Sequence, residues 1–341
     1  GTVTMIIRNG SNFNAPLKVN TGTTTARDNG APYIAKFNGT VTIDAGAVLN
    51  VFNGGYFIQA NSTLTNNGTI NGSASSLIVR CPSFVNNGIV NPTNINFDTT
   101  TSISGTGSYS PTNITISSSG NVSLASNTSF TSMSNFYIDG NGILNPNSFT
   151  ITLSSTNFTM YNLSTIVNSG LFQTQGNILM NIKNGSAFNA PLKVHTGIAS
   201  AWDNGSPYTA FFNGPVTVDT GATLSAYGGG FSITFNNIVT NYGTITSGGG
   251  SIVNFLGTNV TNNGIINPSI LNFQTGTHTL QGTGLVGTNL NVVSGSTVTL
   301  ASNHQLLSVT VNTGGTFNLS TFKLSLTASN PIANSGTFNT T

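Results

Sequence analysis

The chain has 341 residues, and only 4% of them are Asp, Glu, Lys or Arg, against roughly 25% in typical soluble domains. The formal net charge is +2 and no basic cluster occurs, which excludes the strongly basic surface that binds a phosphate backbone. Hydrophobic residues make up 37% of the chain and alternate with polar ones. This pattern excludes a disordered chain and predicts a packed core.

Two further signals of composition restrict the class of protein. The single cysteine, Cys81, leaves no internal disulfide, and we interpret it as a buried small hydrophobic residue. No apolar run approaches the ~20 residues that a membrane-spanning helix needs. Asn, Thr, Ser and Gly fill the polar positions, and this charge-poor composition favours an extracellular or cell-surface protein.

Residues 13–37 are the first predicted element and the most irregular one. They contain Lys18, Arg27 and Asp28 within an otherwise charge-poor sequence. Their length and their prolines do not suit one coil of regular structure, so we interpret them as an excursion, a loop or small hairpin. Within it, the sequence DNGAPY at 28–33 predicts an Asx turn followed by an extended step before the proline.

Short segments with alternating apolar and polar residues follow the excursion. Asn-Gly turns recur among them, and Asn67-Gly68 lies 20 residues before Asn87-Gly88. Alternation with period two, bounded by such turns, predicts short strands. The segments are 41–51, 62–70, 83–90, 101–109, 120–130 and 141–153.

The second half of the chain repeats the first. Residues 182–225 match residues 7–50 at a constant offset of 175, with 29 of 44 positions identical. The repeat predicts two tandem units, 1–175 and 176–341, the second with its own excursion at 188–212. Tandem units of this kind build arrays, and both ends of the chain are in phase with the repeat. We therefore expect a structural element longer than one unit.

A spacing of about 20 residues suits either an antiparallel sandwich or one coil of a parallel solenoid. Three observations favour the solenoid: the coils are similar in content, the Asn-Gly turns recur at one coil spacing, and residues 170–185 stay strand-like without a linker. The predicted fold is all-β, a parallel β-solenoid with roughly eight coils per unit. Stacked coils place like residues ~5 Å apart, which disfavours charge and favours ladders of Asn and Thr on the outside.

The distribution of the acidic residues argues against an enzyme. The six Asp residues occur one at a time, and two of them recur exactly one unit later, whereas a catalytic cleft would need several together. The histidines His195, His278 and His304 lack the spacing of a zinc site. We predict no enzymatic activity, no cofactor and no metal site; a calcium ion at the turns of Asp28 and Asp203 is the alternative to an Asx turn.

Aromatic residues are concentrated around the two excursions. Tyr33 and Tyr208, Phe37 and Phe212, and the single Trp202 lie in or beside them. Packing of the excursion onto the solenoid is one interpretation, and stacking against a sugar is the other.

The repeated phrases NNGTI, NNGII, NSGTF and NPNSFTITL, in coils of about 20 residues, resemble the repeats of bacterial surface β-helix proteins. That class includes filamentous-haemagglutinin-like adhesins and pectin-lyase-like repeats. The resemblance covers nearly all of the chain and is compositional. It implies a right-handed parallel β-helix, secreted and acting in adhesion or surface architecture, and it transfers no functional residue.

These observations predict a structural protein, a subunit or segment of an extracellular filament or surface fibre assembled head-to-tail from copies of itself. An adhesin shaft or carbohydrate-binding stalk with glycan partners is the alternative, and a polysaccharide-degrading enzyme comes third. We expect no nucleic-acid partner and no membrane span. The excursions would make the contacts between neighbouring units. Lys18 and Lys193 would pair with Asp28 and Asp203, and the contact would be anchored by Tyr33, Phe37, Tyr208 and Phe212.

Overall fold

The computed structural model describes residues 1–8, 10–30, 33–52, 54–161, 163–167, 169–183, 186–203, 205 and 208–340. All regular secondary structure in these ranges is β-strand, and no helix occurs in them. The same ranges accordingly hold no helix of the length and apolarity required to cross a membrane. The chain divides into two compact units, Gly1–Phe172 and Gln173–Thr341.

The strands of the first unit are short and follow one another at close intervals. They are β1 Thr2–Ile6, β2 Asn12–Phe13, β3 Leu17–Val19, β4 Thr23–Arg27, β5 Ile34–Phe37, β6 Val41–Ile43, β7 Val48–Val51, β8 Phe57–Ala60, β9 Leu64–Asn66, β10 Thr69–Val79, β11 Ser83–Asn86, β12 Ile89–Phe97, β13 Thr100–Ser104, β14 Ser108–Tyr109, β15 Asn113–Ile116, β16 Asn121–Leu124, β17 Thr128–Ile138, β18 Ile143–Asn145, β19 Thr150–Met160, β20 Thr165–Ile166 and β21 Leu171–Thr174.

The second unit has the same character. Its strands are β22 Ile178–Ile182, β23 Ala187–Phe188, β24 Leu192–Val194, β25 Ile198–Trp202, β26 Thr209–Phe212, β27 Val216–Val218, β28 Thr223–Ala226, β29 Ser232–Phe235, β30 Val239–Asn241, β31 Thr244–Ser247, β32 Ile252–Phe255, β33 Asn259–Asn262, β34 Ile265–Asn267, β35 Ile270–Phe273, β36 Gly276–Gln281, β37 Leu285–Val292, β38 Ser296–Leu300, β39 His304–Val311, β40 Thr316–Asn318, β41 Leu324–Leu326, β42 Ile332–Asn334 and β43 Thr337–Asn339.

Strands pair in parallel with the equivalent strand one coil earlier or later. Ile70 of β10, for example, lies opposite Leu49 on one side and Val90 on the other. The prediction of a parallel β-solenoid is confirmed, with about sixteen coils in all. One column of eight strands runs through the described part of each unit. These columns are β3, β6, β9, β11, β13, β16, β18 and β20 in the first, and β24, β27, β30, β33, β36, β38, β40 and β43 in the second.

The core follows from the alternation of the strands. Side chains at every second position point inward. In β6 and β7 the buried side chains are Val41, Ile43, Leu49 and Val51. Because the register is preserved from coil to coil, inward residues stack on inward residues. Ring contacts with centroids 5.1 to 5.8 Å apart therefore run through each unit. They join Phe84, Tyr109, Phe130, Phe136, Phe158 and Phe172 in the first unit, and Phe188, Phe212, Phe235, Phe255 and Phe273 in the second.

Cys81 lies in the same interior. Its side chain is buried, as the sequence predicts. Burial raises the pKa of its thiol to about 11, against the lowering effect of neighbouring backbone hydrogen bonds.

Asparagine ladders form on the outside, as predicted, and also inside. On the outside, the Asn38 amide donates to Asn14 Oδ1 at 2.7 Å and the Asn61 amide donates to Asn38 Oδ1 at 2.7 Å. Inside, the Asn66 amide donates to Asn86 Oδ1 at 2.8 Å, and both residues are fully buried. Hydrogen bonds between stacked amides allow the polar groups to be buried.

The expected excursions at 13–37 and 188–212 are instead coils of the solenoid. Strands β3, β4 and β5 occupy residues 13–37, and β4 pairs with β1 on one side and β7 on the other. Pro16 is tolerated because it precedes β3, where the following Leu17 amide donates to Thr40. A solenoid coil changes length at its corners without losing strand pairing. The described strands of both segments therefore stay paired within the sheet.

Candidate functional site

Both units contain the same turn at the start of the candidate site. Asp28 Oδ1 accepts a hydrogen bond from the Gly30 amide at 2.9 Å, and Asp203 Oδ1 accepts one from the Gly205 amide at 2.8 Å. Asp28 Oδ2 also accepts from the Gly10 amide at 2.8 Å. These contacts confirm the predicted Asx turns. The predicted extended steps before the prolines, at residues 31–32 and 206–207, lie outside the described residues.

The turn ends at a tyrosine with an unusual backbone conformation. Tyr33 and Tyr208 both have a φ of 62°, a left-handed value that is rare for a bulky residue and costs on the order of 1–3 kcal/mol. The Tyr33 amide donates to Gly30 O at 2.7 Å and the Tyr208 amide donates to Gly205 O at 2.7 Å. The two turns therefore give their tyrosines the same backbone conformation. Both rings are exposed, at 48% for Tyr33 and 55% for Tyr208.

In the first unit, Tyr33 belongs to a cluster that we name the unit 1 corner: Arg27, Tyr33, Phe52 and Tyr56. The ring of Tyr56 meets Tyr33 edge to face at 5.6 Å and Phe52 edge to face at 5.1 Å. Arg27 ends strand β4, and its guanidinium lies over the Phe52 ring at 4.5 Å. These are favoured aromatic and cation–π geometries, so the corner is an ordered surface feature.

The second unit repeats the cluster at the same offset of 175, and we name it the unit 2 corner: Trp202, Tyr208, Tyr227 and Phe231. Trp202 takes the place of Arg27 and lies 4.7 Å from Tyr227 and 5.2 Å from Phe231. Tyr208 contacts Phe231 at 6.2 Å. Tyr227 is 42% exposed. Four planar side chains thus occupy equivalent positions in both units.

Glycines shape the loop in both corners. Gly54 and Gly55 precede Tyr56 with φ values of 97° and 86°, and Gly229 and Gly230 precede Phe231 with 107° and 84°. Only glycine adopts two such conformations in succession without strain. The Gly55 amide donates to Ala74 O one coil further. The central ring of each corner is therefore held at a fixed height on the solenoid surface.

The structure separates the aromatic residues that the sequence analysis grouped together. Tyr33, Tyr208 and Trp202 lie in the corners, whereas Phe37 and Phe212 are fully buried in the core. A buried ring offers no contact to a neighbouring molecule, so Phe37 and Phe212 are wrong as assembly residues. The sequence analysis missed Phe52, Tyr56, Tyr227 and Phe231. Their signal was present, since both pairs are aromatic and 175 residues apart.

The charged candidates also lie differently from the prediction. The sequence analysis paired the lysines with Asp28 and Asp203, but both carboxylates are buried and accept backbone hydrogen bonds. Lys18 instead forms an ion pair with Asp44 at 3.2 Å, and Lys193 forms one with Asp219 at 3.0 Å. Each pair joins adjacent coils on the flank of the solenoid.

The second of these ion pairs includes a histidine. His195 Nδ1 lies 2.7 Å from Asp219 Oδ2. Partial burial by itself would raise the pKa of the Asp219 carboxyl, but hydrogen bonds from His195 and Lys193 and their charges lower it. Asn20 stands at the equivalent position of the first unit, so this three-residue arrangement is specific to the second. No group of three or more metal-binding side chains occurs in the part of the chain that the structure describes.

Comparison of this chain with protein-family models, with curated protein sequences and with solved structures finds no match.

Proposed function

We propose that the chain is a structural segment of an extracellular filament or surface fibre, in which copies stack head-to-tail along the solenoid axis. The observation that carries the proposal is the register of the coils. Inward residues, asparagine ladders and strand edges repeat from coil to coil, so one coil is a template for the next. Such a pattern extends by addition of identical coils, whichever molecule supplies them.

The use of the carboxylates supports a structural role over a polysaccharide-degrading enzyme. Asp44, Asp98 and Asp219 pair with Lys18, Arg80 and Lys193 on the flanks. Asp28 and Asp203 are buried in turns. Carboxylates engaged in this way stabilise turns and neighbouring coils, and they lie on separate coils rather than facing each other across a cleft.

In the proposed assembly, the last described coil of the second unit would contact the next coil through Ile332. Ile332 of β42 pairs with Val309 of β39, and Val309 is fully buried beneath it. Ile332 itself is 47% exposed. A further coil, from the same polypeptide or from another copy, would bury Ile332 in the way that Ile332 buries Val309. The parallel edges of β42 and β43 would gain backbone hydrogen bonds at the same time.

Negative-stain electron microscopy and sedimentation velocity of the purified chain test this proposal. We expect linear assemblies that lengthen with concentration. Ile332→Asp should lower the assembled fraction at least tenfold, because it places a charge at the stacking surface. Ile238→Asp is the matched control, since Ile238 is 42% exposed within the unit, and it should assemble normally. Isolated molecules at all concentrations, or equal effects of the two variants, would contradict the proposal.

A further inference from the structure

We propose that the unit 1 corner and the unit 2 corner are two equivalent binding sites for an uncharged oligosaccharide. This activity is independent of filament formation and does not rest on it. The sites are the two clusters of aromatic rings, in which Tyr33, Tyr208 and Tyr227 are exposed and the central rings of Tyr56 and Phe231 are half-buried. A pyranose ring carries C–H groups on its faces and hydroxyls around its edge, and it fits a planar aromatic surface with polar groups nearby.

The strained tyrosines give the first argument. Tyr33 and Tyr208 keep the left-handed φ of 62°, although Asn or Gly would adopt it at lower cost. Their rings are about half exposed, so burial offsets little of that cost. A strained, exposed and duplicated side chain points to a function outside the fold itself.

The pattern of substitution between the corners gives the second argument. Phe52 is replaced by Tyr227, Tyr56 by Phe231 and Arg27 by Trp202. The side chains change, but each position keeps a planar group in contact with its neighbours. Recognition through ring faces requires planarity and tolerates these exchanges.

Charge identifies the class of ligand. The described residues of the unit 2 corner are all uncharged, and the only charged group of the unit 1 corner, Arg27, lies over a ring. An anionic ligand would therefore find a cation in one corner and none in the other. An uncharged ligand meets equivalent surfaces in both, which agrees with their duplication.

A polar groove beside the unit 1 corner supplies hydrogen-bonding groups. It has a volume of about 370 Å³ and begins at Asn50, two residues before Phe52. Amide and hydroxyl side chains are the usual partners of sugar hydroxyls. Strand pairing places Asn50 beside Asn71, and Ser225 beside Thr246 at the equivalent place in the second unit. The groove is lined by Asn50, Asn71, Gly72, Ser73, Asn91, Pro92, Thr93 and Thr112.

The size of the corners favours a sugar over a second copy of the chain. Tyr33 is the exposed ring of the unit 1 corner, and Tyr208 and Tyr227 are the exposed rings of the unit 2 corner. They offer on the order of 100–200 Å² per corner, whereas each partner in a stable protein interface buries about 800 Å². One or two sugar rings match the smaller area.

Titration calorimetry with cellohexaose, mannohexaose and chitohexaose tests the proposal, with a heparin hexasaccharide as the anionic comparison. We expect at least one neutral hexasaccharide to bind at two sites per chain. Tyr33→Ala and Tyr208→Ala should each leave one site, and the double variant should bind at least about tenfold more weakly. Tyr242→Ala is the matched control, because Tyr242 is 46% exposed outside the corners, and it should bind like the unchanged chain.

The single tryptophan assigns the second site directly. Trp202 is the only Trp in the chain and lies in the unit 2 corner. Its fluorescence should respond to the sugar in the Tyr33→Ala variant and lose the response in Tyr208→Ala.

Any of these binding results would overturn the proposal: no binding of any neutral hexasaccharide, binding of heparin alone, unchanged binding by the double variant, or an unchanged Trp202 signal on saturation. Sedimentation equilibrium tests whether a second copy of the chain binds at the corners instead. If the double variant abolishes dimers that the unchanged chain forms, the corners are contacts between copies and the proposal is wrong. Tyr33→Asn and Tyr208→Asn keep the test independent of folding, because Asn tolerates the left-handed conformation.

Discussion

Arg27 and Trp202 occupy equivalent positions in the two units, yet one is a cation and the other a neutral aromatic residue. Arg27 lies over Phe52 at 4.5 Å, and Trp202 lies 4.7 Å from Tyr227. In each case a buried nitrogen, Arg27 Nε or Trp202 Nε1, lacks a hydrogen-bond partner among the described residues. The shared property is a flat group stacked on a ring. The two positions therefore share the planar shape of the side chain and not its charge.

The core presents the opposite case, with identical residues in different surroundings. Phe37 and Phe212 are both fully buried. Phe212 has aromatic neighbours on both sides, Phe188 at 5.4 Å and Phe235 at 5.8 Å. Phe37 has Phe13 at 5.9 Å on one side and Ala60 opposite it on the other.

Replacement of either phenylalanine by Ala should give the largest loss of stability and would measure what the second aromatic neighbour contributes. Phe212→Ala should lower the free energy of unfolding by ~3–5 kcal/mol. Phe37→Ala should cost about 1 kcal/mol less, because it breaks one aromatic pair and not two. Chemical denaturation followed by circular dichroism measures both. Phe211→Ala, at an exposed position of the same strand, is the control, and an equal loss there would contradict the assignment of the core.

Removal of the inner asparagine ladder should come next in size and should affect both units alike. Asn86→Ala would take the acceptor from the Asn66 amide, and Asn262→Ala would take it from Asn241. Leaving a buried amide with fewer partners costs about 1–3 kcal/mol. Asn38 belongs to an exposed outer ladder. Asn38→Ala should therefore lower the free energy of unfolding by well under 1 kcal/mol. Unfolding midpoints of the three variants decide the point, and a neutral Asn86→Ala would refute the structural role of the ladder.

Acidification should lower the stability of the second unit more than that of the first, because all three histidines of the chain lie in the second. Burial lowers the pKa of His304, and a hydrogen bond to the Leu280 carbonyl only partly opposes it. The folded state thus favours neutral His304. Its stabilising contribution is complete above the unfolded pKa of about 6.5 and is lost as the pH falls through the lower folded value.

The thermal midpoint should therefore fall between pH 7 and pH 5, and His304→Thr should reduce that fall. Thr128 occupies the equivalent place in the first unit, in LASNTSF against LASNHQL. Gln305→Ala, at the exposed neighbouring position of the same strand, is the control and should retain the dependence. An identical pH dependence in His304→Thr would show that His304 is not its source.

The smallest effect on stability is expected at the corners. Tyr33→Asn and Tyr208→Asn relieve the left-handed strain but lose one ring contact each. The relief of strain outweighs the lost contact, so each variant should be as stable as the unchanged chain or more stable by about 1 kcal/mol. Thermal unfolding measures it. A loss of several kcal/mol in either variant would show that the tyrosine stabilises the fold by packing. The strain at Tyr33 and Tyr208 would then no longer indicate a binding role.

The sequence predicts more of the fold than of the site. Alternation in segments such as 41–51 and the Asn-Gly turns at Asn67 and Asn87 correctly indicate stacked parallel strands. The prediction of an excursion fails at residues 13–37, because prolines and charged residues occur there within a coil of the solenoid. Irregular composition is tolerated at a corner because strand pairing on either side holds the coil in place.

The period, the alternation and the repeat at 175 residues can be read from the order of residues along the chain. Which aromatic residues lie at the surface depends on how the coils pack. Phe37 is buried and Tyr33 is exposed although they are four residues apart. The reason is that inward or outward direction depends on a turn held by Asp28 and on rings brought together from separate strands. The turn at Asp28 is local, but the contact between Tyr33 and Tyr56 joins neighbouring coils and therefore requires that the coils are stacked.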